Sequence, residues 1–309
     1  MPASNVVTEV SVRFPALDGY DLGGTLFVRN GRQGFTTAAL FSCGGGILAA
    51  RYARFARYLA ANGIPIFTYD YRGIGISRRA SLRGFDAVAE DWSELDCGGA
   101  IAYLKSICTD AEVVAIAHSI GALITGGAPN ICDVRRFVFI CPHTGYYRDY
   151  IPRYRLPMAL VWHLVMPFVT RVAGYFPAKL LRLGEDIPAG VALQWAARRT
   201  PNLLPEATTT DARRARAMIA RYETVIGTGL AVGVADDAFA TERGIRRLLS
   251  AFPGLQLEFR MISPPEVGRE KIGHFGFFRR DSEVPIWPLV LAYLKSGERS
   301  NFRPKLVHP

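Results

Sequence analysis

The stretch that decides the fold is AEVVAIAHSIGAL, residues 111–123. Its first half is a short apolar run rich in β-branched residues, which is typical of a buried strand, and its second half has the small residues of a tightly packed helix start. Between them lies AHSIG, residues 117–121, one residue away from the G-x-S-x-G pattern in which a sharp strand-to-helix turn exposes a serine. The stretch therefore predicts a strand, a turn with Ser119 at its apex, and a helix. A serine that merely caps an ordinary helix would give a similar pattern.

Strands and helices alternate on both sides of this stretch. Residues 6–29 read as two strands around an Asp18-Gly19 turn, and Gly63 closes the first helix. Alternation at this spacing predicts parallel βαβ units, with helices on both faces of the sheet. The further strands are predicted at 38–42, 64–73, 112–117, 135–142, 229–235 and 255–262, and the helices at 50–63, 87–107, 120–127, 242–253 and 285–297.

The alternation stops in one long segment, residues 143–211, which is rich in Tyr, Pro, Trp and Leu and has no strand signal. We expect a helical cap there, over the carboxyl ends of the strands, where open α/β sheets bind ligands. The core is then formed by residues 1–142 and 212–309. The apolar run from Met158 to Thr170 is expected to be too short for stable membrane insertion. It indicates either an apolar substrate or a helix that is simply buried.

Composition excludes several classes of protein. The 309-residue chain is half hydrophobic and carries a net charge of +10, but its arginines are scattered in pairs and do not form a nucleic-acid-binding patch. Residues 213–221 read as the solvated face of a helix. The five cysteines form no C-x-x-C pair, and the N-terminus lacks a signal-peptide layout, so we expect a cytoplasmic protein with reduced thiols. No metal or cofactor motif is present; the triple glycine at 44–46 matches neither G-x-G-x-x-G nor a phosphate loop.

A nucleophilic serine needs a base and a carboxylate that orients the base, and after this kind of turn they follow in the order Ser, Asp, His. Asp236 and Asp237 follow the strand at 229–235, and His274 follows the strand at 255–262. The Asp-x-x-small spacing favours Asp237 as the acid, while the position of Gly233 leaves Asp236 as the alternative. His274 is the expected base. The other histidines suit the role less well. His118 points away from its neighbour in the turn, and His143 follows a strand end, where it could line the pocket, but precedes the acid. His163 lies in the apolar cap and His308 lies in a polar tail.

A tetrahedral intermediate also needs two backbone N–H donors for its oxyanion. Ile120, directly after the serine, is expected to supply one. The second is expected from the loop CGGGI at 43–47, where Gly45, Gly46 or Ile47 could donate. The same loop could simply be a flexible turn. Cys43 beside it is a weak second nucleophile, because no base is placed for it.

These motifs together resemble the α/β-hydrolase superfamily. The quoted signals are Gly44-Gly45-Gly46, the D-x-R-G-x-G-x-S stretch from Asp70 to Ser77, AHSIG, the Asp236-Asp237 doublet and GHFGFFR around His274. Over its whole length the chain is similar to bacterial predicted hydrolases related to serine aminopeptidases and monoacylglycerol lipases. The resemblance implies a mostly parallel sheet of about eight strands, a helical cap and an acyl-enzyme. Ala117 is a minor departure from the family pattern, and the triple glycine replaces the common His-Gly opening, so the second oxyanion donor stays open.

The sequence thus predicts a serine hydrolase that cleaves a carboxylic ester of a small-molecule acyl substrate, with Ser119, His274 and Asp237 as its catalytic set. An acyltransferase would use the same acyl-enzyme with an acceptor other than water, and resemblance alone suggests a peptidase. A binding protein that has kept the fold is the third alternative. The sequence does not determine the oligomeric state.

Overall fold

The computed structural model describes residues 6–31, 34–79, 81–200 and 212–296. Its centre is one eight-stranded sheet in the order β1-β2-β4-β3-β5-β6-β9-β10, and a two-stranded pair, β7-β8, lies apart from it. Only β2 pairs antiparallel with its neighbours, and all other pairs in the large sheet are parallel. The strands are β1 Val7–Pro15, β2 Asp21–Arg29, β3 Thr37–Ser42, β4 Ile66–Tyr69, β5 Glu112–His118, β6 Arg136–Ile140, β7 Tyr175–Phe176, β8 Ile187–Pro188, β9 Gly227–Val234 and β10 Leu255–Ile262.

Helices connect the parallel strands, as the alternating sequence pattern predicts. Two stretches, Asp91–Cys97 and Val161–Val165, are π-helical and run directly into α-helices. The α-helices are α1 Ala53–Ala61, α2 Gly98–Ile107, α3 Gly121–Gly126, α4 Pro152–Leu160, α5 Met166–Ala173, α6 Ala189–Ala197, α7 Ala212–Thr224, α8 Glu242–Leu249, α9 Gly273–Gly276 and α10 Trp287–Ser296.

The register of the central strands brings their carboxyl ends to one edge. Ser42 at the end of β3 pairs with Ala117 of β5, and His118 pairs with Ile140 at the end of β6. Ile140 in turn pairs with Val232 near the end of β9. Because parallel strands end at the same edge, the loops that follow β3, β5, β6 and β9 meet there. The expected nucleophile, acid and glycine-loop donors lie on three of these loops, and the expected base, His274, follows β10, which pairs parallel with β9.

The D-x-R-G-x-G-x-S stretch after β4 has an architectural role. The two carboxylate oxygens of Asp70 accept hydrogen bonds from the N–H groups of Ala49 (2.7 Å) and Ile76 (3.0 Å). Arg72 is largely buried and forms ion pairs with Asp96 at 2.7 Å and with Asp18 at 2.8 Å. A buried arginine needs such partners, because an unpaired charge inside the protein is costly. The motif therefore joins the β1–β2 hairpin, β4 and the helix at 91–107.

The segment from 143 to 200 supplies the remaining helices, and the short β7-β8 pair is a feature that the sequence did not predict. Its main element is a continuous helix, Pro152–Ala173, made of α4, the π-turn and α5, which we call the cap helix. This 22-residue helix is long and apolar enough to cross a membrane, although the apolar run identified in the sequence was shorter. Only 11% of its most apolar part is buried, so the helix is largely exposed. The second interpretation of the sequence, a helix that is simply buried, is therefore wrong.

Candidate functional site

Ser119 lies at the apex of the turn between β5 and α3 with a left-handed backbone, φ 60°. Few residues other than glycine adopt this conformation, and it persists only where the surroundings enforce it. The Ser119 N–H donates to the carbonyl of Ile140 on the neighbouring strand at 3.0 Å. Gly121 makes the turn possible, because a Cβ there would lie 2.5 Å from the carbonyl oxygen of Ser42. The local structure is therefore the strained strand–turn–helix that the AHSIG pattern predicts.

Asp237 and His274 come together as a hydrogen-bonded pair, with 2.7 Å between Oδ2 and Nδ1. The other carboxylate oxygen accepts from the N–H groups of Phe239 (2.8 Å) and Ala240 (3.0 Å). Burial alone would raise the pKa of the Asp237 carboxyl, but the charge and hydrogen bond of His274 and these two N–H donors lower it well below its usual value. An ionised Asp237 keeps the proton on Nδ1 of His274 and leaves Nε2 able to accept one.

Asp236 has a different position. Its two carboxylate oxygens accept hydrogen bonds from the N–H groups of Ile272 (2.9 Å) and Gly273 (2.8 Å). It therefore holds the backbone that carries His274, while Asp237 holds the imidazole ring. The two members of the doublet, which the sequence left as alternatives, contact different parts of the same loop.

The side chain bonded to Ser119 is His143, with 2.9 Å between Oγ and Nε2. The N–H of Gly145 donates to Nδ1 of His143 at 3.0 Å, so Nδ1 carries no proton. Burial, reinforced by the charge of His274, lowers the pKa of His143 to about 3, and the neutral ring must then carry its proton on Nε2. His143 therefore donates to the Ser119 oxygen. Within the described part of the chain, no direct hydrogen bond joins Ser119 to His274.

A third histidine, His118, connects the two halves of the site. Its Nε2 lies 3.1 Å from the backbone carbonyl of His274, which only accepts, so Nε2 carries the proton. Its Nδ1 lies 2.9 Å from the hydroxyl of Tyr52, and that hydroxyl accepts from the N–H of Gly44 at 3.1 Å. Burial, with the nearby charge of His274, lowers the pKa of His118 well below its usual value. The relay Gly44–Tyr52–His118–His274 thus joins the glycine loop to the backbone of the expected base.

Some backbone N–H groups of the loop at 43–47 already donate hydrogen bonds within the protein. The N–H of Gly44 bonds to Tyr52, and that of Ile47 donates to the carbonyl of Gly44 at 3.2 Å. Among the described residues, the N–H groups of Gly45, Gly46 and Ile120 have no acceptor. Gly45 lies against Ile120, since a Cβ on it would approach the Ile120 side chain to 2.6 Å. Uncommitted donors therefore lie next to the turn that carries Ser119.

Residues of the segment 143–200 border this loop. A Cβ on Gly45 would also lie 2.9 Å from the ring of Trp195, and Trp195 contacts Trp162 with 5.2 Å between ring centroids. The N–H of Glu185 donates to the carbonyl of Gly46 at 2.7 Å, and Arg198 donates to the carbonyl of Thr144, next to His143. The segment after β6 thus covers the same edge of the sheet as the candidate residues.

The remaining sequence candidates lie elsewhere or in other roles. Burial raises the pKa of the Cys43 thiol well above its usual value, which disfavours a thiolate nucleophile. His163 lies on the cap helix, with Nδ1 2.8 Å from the carbonyl of Ala196, and His308 lies outside the described residues. Potential metal-ligand atoms of Cys141, Asp237 and His274 lie within 4.8 Å of one another. A metal bound there would have to displace the hydrogen bond between Asp237 and His274.

Sequence reasoning placed His143 after a strand but did not predict its contact with Ser119. The signal for it was present: the residue follows β6, which is adjacent to β5 in the sheet. What the sequence did not show is the left-handed backbone of Cys141, φ 46°, at the end of β6, just before His143.

This sheet, with a strained serine after one strand and an Asp–His pair after two later strands, defines an α/β hydrolase. The chain belongs to the alpha/beta hydrolase family, whose model matches residues 36–284. No curated protein sequence gives a significant match.

Solved structures with the same fold include an esterase of Pyrococcus furiosus, at TM-score 0.58 and 14% identity over 96% of this chain and 93% of that one. A hypothetical protein of Pseudomonas aeruginosa matches at TM-score 0.60 and 12% identity, over 96% and 95%. A fungal esterase of Rhizomucor miehei matches at TM-score 0.56 and 14% identity, over 94% and 83%. At these identities the likeness establishes the fold.

Proposed function

We propose that this α/β hydrolase is a serine hydrolase that cleaves carboxylic esters through an acyl-enzyme. The observation that carries the proposal is Ser119 with φ 60° at the same sheet edge as the Asp237–His274 pair. A serine held in this conformation presents its hydroxyl above the sheet. Membership in the alpha/beta hydrolase family and the esterases among the structural neighbours support the reaction class.

In the proposed first step Ser119 Oγ attacks the acyl carbon, and its proton passes to Nε2 of His274. Because His143 donates to Oγ and does not accept from it, the hydroxyl proton of Ser119 remains available for His274. Catalytic hydrogen bonds are often long without substrate and tighten when it binds, which fits a Ser119–His274 contact formed in the complex. Asp237 stabilises the imidazolium that results.

The oxyanion of the tetrahedral intermediate would accept hydrogen bonds from the N–H of Ile120 and from the Gly45–Gly46 segment. Ile47, a further sequence candidate, donates to Gly44 in this structure and is left out of the proposal. The intermediate then collapses, and the leaving alcohol takes the proton from His274. A water molecule, deprotonated by His274, attacks the acyl carbon and releases the acid and free Ser119.

An apolar acyl group is the proposed substrate feature. Support comes from the cap, where Trp195 lies against Gly45 and its ring contacts the ring of Trp162. A series of p-nitrophenyl esters from acetyl to long acyl chains tests this point. Turnover should rise beyond acetyl; fastest turnover on acetyl, with loss at every longer chain, would remove the apolar part of the proposal. Product analysis with added alcohols separates hydrolysis from acyl transfer, since both pass through the same acyl-enzyme.

The decisive experiment is intact-mass labelling with a fluorophosphonate. The wild type should gain one adduct, Ser119→Ala none, and His274→Ala should label much more slowly. Ser106→Ala, at an exposed serine on α2, is the matched control and should label like the wild type. Absence of an adduct on well-folded wild type would overturn the proposal in favour of a binding protein on the same fold.

A further inference from the structure

The cap helix exposes an apolar stripe to solvent. Five apolar residues spaced four apart are exposed: Leu156 (69%), Leu160 (47%), Leu164 (62%), Phe168 (70%) and Val172 (71%). Large apolar side chains of soluble proteins are normally exposed singly, and a contiguous row of them marks an interaction surface.

The π-turn keeps this row on one side of the helix. An α-helix turns once every 3.6 residues, so residues spaced four apart drift steadily around it. The π-turn at Val161–Val165 takes up more residues per turn and offsets that drift in the middle of the row. Pro167 explains its position: it cannot donate to the carbonyl of His163, and a regular α-helix would press its ring against that carbonyl.

The opposite side of the cap helix packs against the rest of the protein. Met166 and Thr170 are buried, and His163 bonds to α6 at Ala196. A helix held in this way cannot be surrounded by lipid, although its length would allow it to cross a membrane. It can lie in the plane of a membrane surface, with its exposed row in the headgroup region.

The sequence of the cap helix and of the residues directly after it carries only basic charges. Between Asp149 and Glu185 the sequence contains no acidic residue and five basic ones. Arg153 lies three residues before Leu156, and Arg171 three after Phe168, which makes both neighbours of the stripe on the helix surface. Neither forms an ion pair with another described residue. The basic residues are Arg153, Arg155, Arg171, Lys179 and Arg182.

We propose that the cap helix docks on an anionic phospholipid bilayer. The exposed row would enter the headgroup and acyl boundary, and the flanking arginines would contact anionic headgroups. This surface is distinct from the candidate site, but the segment that carries it also contacts that site, since the N–H of Glu185 donates to the carbonyl of Gly46 in the loop at 43–47. One consequence, which rests on the proposed function, is that docking brings the site close to esters carried in the membrane.

The test is co-flotation of the full chain with vesicles of neutral phosphatidylcholine and with vesicles that also contain about 30% phosphatidylglycerol. The wild type should bind the anionic vesicles about tenfold more strongly than the neutral ones, and salt should weaken that binding. The double variant Leu164→Gln/Phe168→Gln should lose binding about tenfold, because it removes two apolar anchors. The double variant Arg153→Gln/Arg171→Gln should lose the preference for anionic lipid.

The matched control variants change exposed residues outside the cap helix. Val284→Gln and Ile226→Gln change exposed apolar residues away from the cap, and Arg54→Gln/Arg280→Gln removes two other exposed cations. All of them should bind like the wild type. Equal binding by the stripe variants, or no vesicle binding by folded wild type, would overturn the inference. So would light scattering that shows a dimer broken by Leu164→Gln/Phe168→Gln with no vesicle binding, because a second copy would then cover the stripe.

The outcome is independent of catalysis. Ser119→Ala should float with anionic vesicles as the wild type does, even if no fluorophosphonate adduct ever forms. Conversely, an intact labelling reaction with no vesicle binding would sink this inference and leave the proposed function standing.

Discussion

His143 donates a hydrogen bond from Nε2 to the Oγ of Ser119 across 2.9 Å, and its other ring nitrogen is occupied by the N–H of Gly145. A histidine fixed in this tautomer cannot take the serine proton. It can stabilise negative charge on Oγ while His274 takes that proton, and it can donate to the same oxygen when the acyl-enzyme breaks down.

This assignment predicts a difference between two variants of His143. His143→Leu should lower kcat/KM by about 10²-fold, because it removes a donor to a reacting oxygen. His143→Gln keeps an N–H donor and should retain most of the activity. Ester hydrolysis and the rate of fluorophosphonate labelling measure both. If the glutamine variant is as inactive as the leucine variant, His143 acts as a base and the assignment is wrong.

Substitutions of Asp236 and Asp237 should have different effects on kcat. Asp237→Asn should lower kcat by about 10³- to 10⁴-fold, because the amide carries no negative charge beside His274 and does not fix the His274 tautomer. Asp236→Asn should have a smaller effect on kcat, because it loses one of two hydrogen bonds to the backbone at 272–273. Steady-state kinetics with a thermal melt of each variant checks the order. The reverse order of activities would move the acid to Asp236.

The turn at Ser119 should be intolerant of bulk at Gly121. A methyl group there would lie 2.5 Å from the backbone of β3, which cannot yield as a side chain would. Gly121→Ala should therefore lower the free energy of unfolding by about 1–3 kcal/mol. Gly244→Ala is the matched control, because its nearest neighbours would lie at 3.4 Å or more. Denaturant titration of both variants is the measurement, and equal midpoints would contradict the close packing of this turn.

Stability should fall in mild acid. The unfolded chain protonates its histidines near pH 6.5, whereas the folded chain keeps His143 neutral down to about pH 3, so protons favour unfolding between these values. His118, with its lowered pKa, acts in the same direction. Asp237 has a lowered pKa too, and its contribution is lost only as pH falls below the ordinary aspartate range.

Urea titrations between pH 8 and pH 4 measure this loss of stability. His143→Gln should show a shallower loss below pH 6.5 than the wild type. Identical slopes for the two proteins would mean that His143 does not contribute.

The sequence predicted features that depend on neighbouring residues in the chain. The turn at Ser119 follows from a strand, a small residue and Gly121 in succession, and the alternation of strands and helices follows from local periodicity. The comparisons confirm the fold. In the structure Asp237, the residue that the Asp-x-x-small spacing favoured, is hydrogen-bonded to His274. That catalytic assignment stays a prediction until the labelling is done.

Features that depend on tertiary geometry were not predicted. The contact of His143 with Ser119 needs the register of β5 and β6 and the left-handed backbone of Cys141. The cap helix was underestimated because Pro157 and Pro167 normally end helices, and here the helix continues through both. Its exposure could not be read from a run of apolar residues, since such a run is equally typical of a buried helix.

The left-handed backbone of Ser119 also implies a conflict between durability and reactivity at that position. Glycine adopts φ 60° without steric strain, so Ser119→Gly should relieve the strain of this turn while losing the hydroxyl and the acceptor of the His143 Nε2–H. Threonine keeps a hydroxyl, but its branched Cβ is a poor fit to the same backbone. Selection for relief of backbone strain alone would therefore drive this position away from serine, and a serine that persists there would have to be maintained by its chemistry.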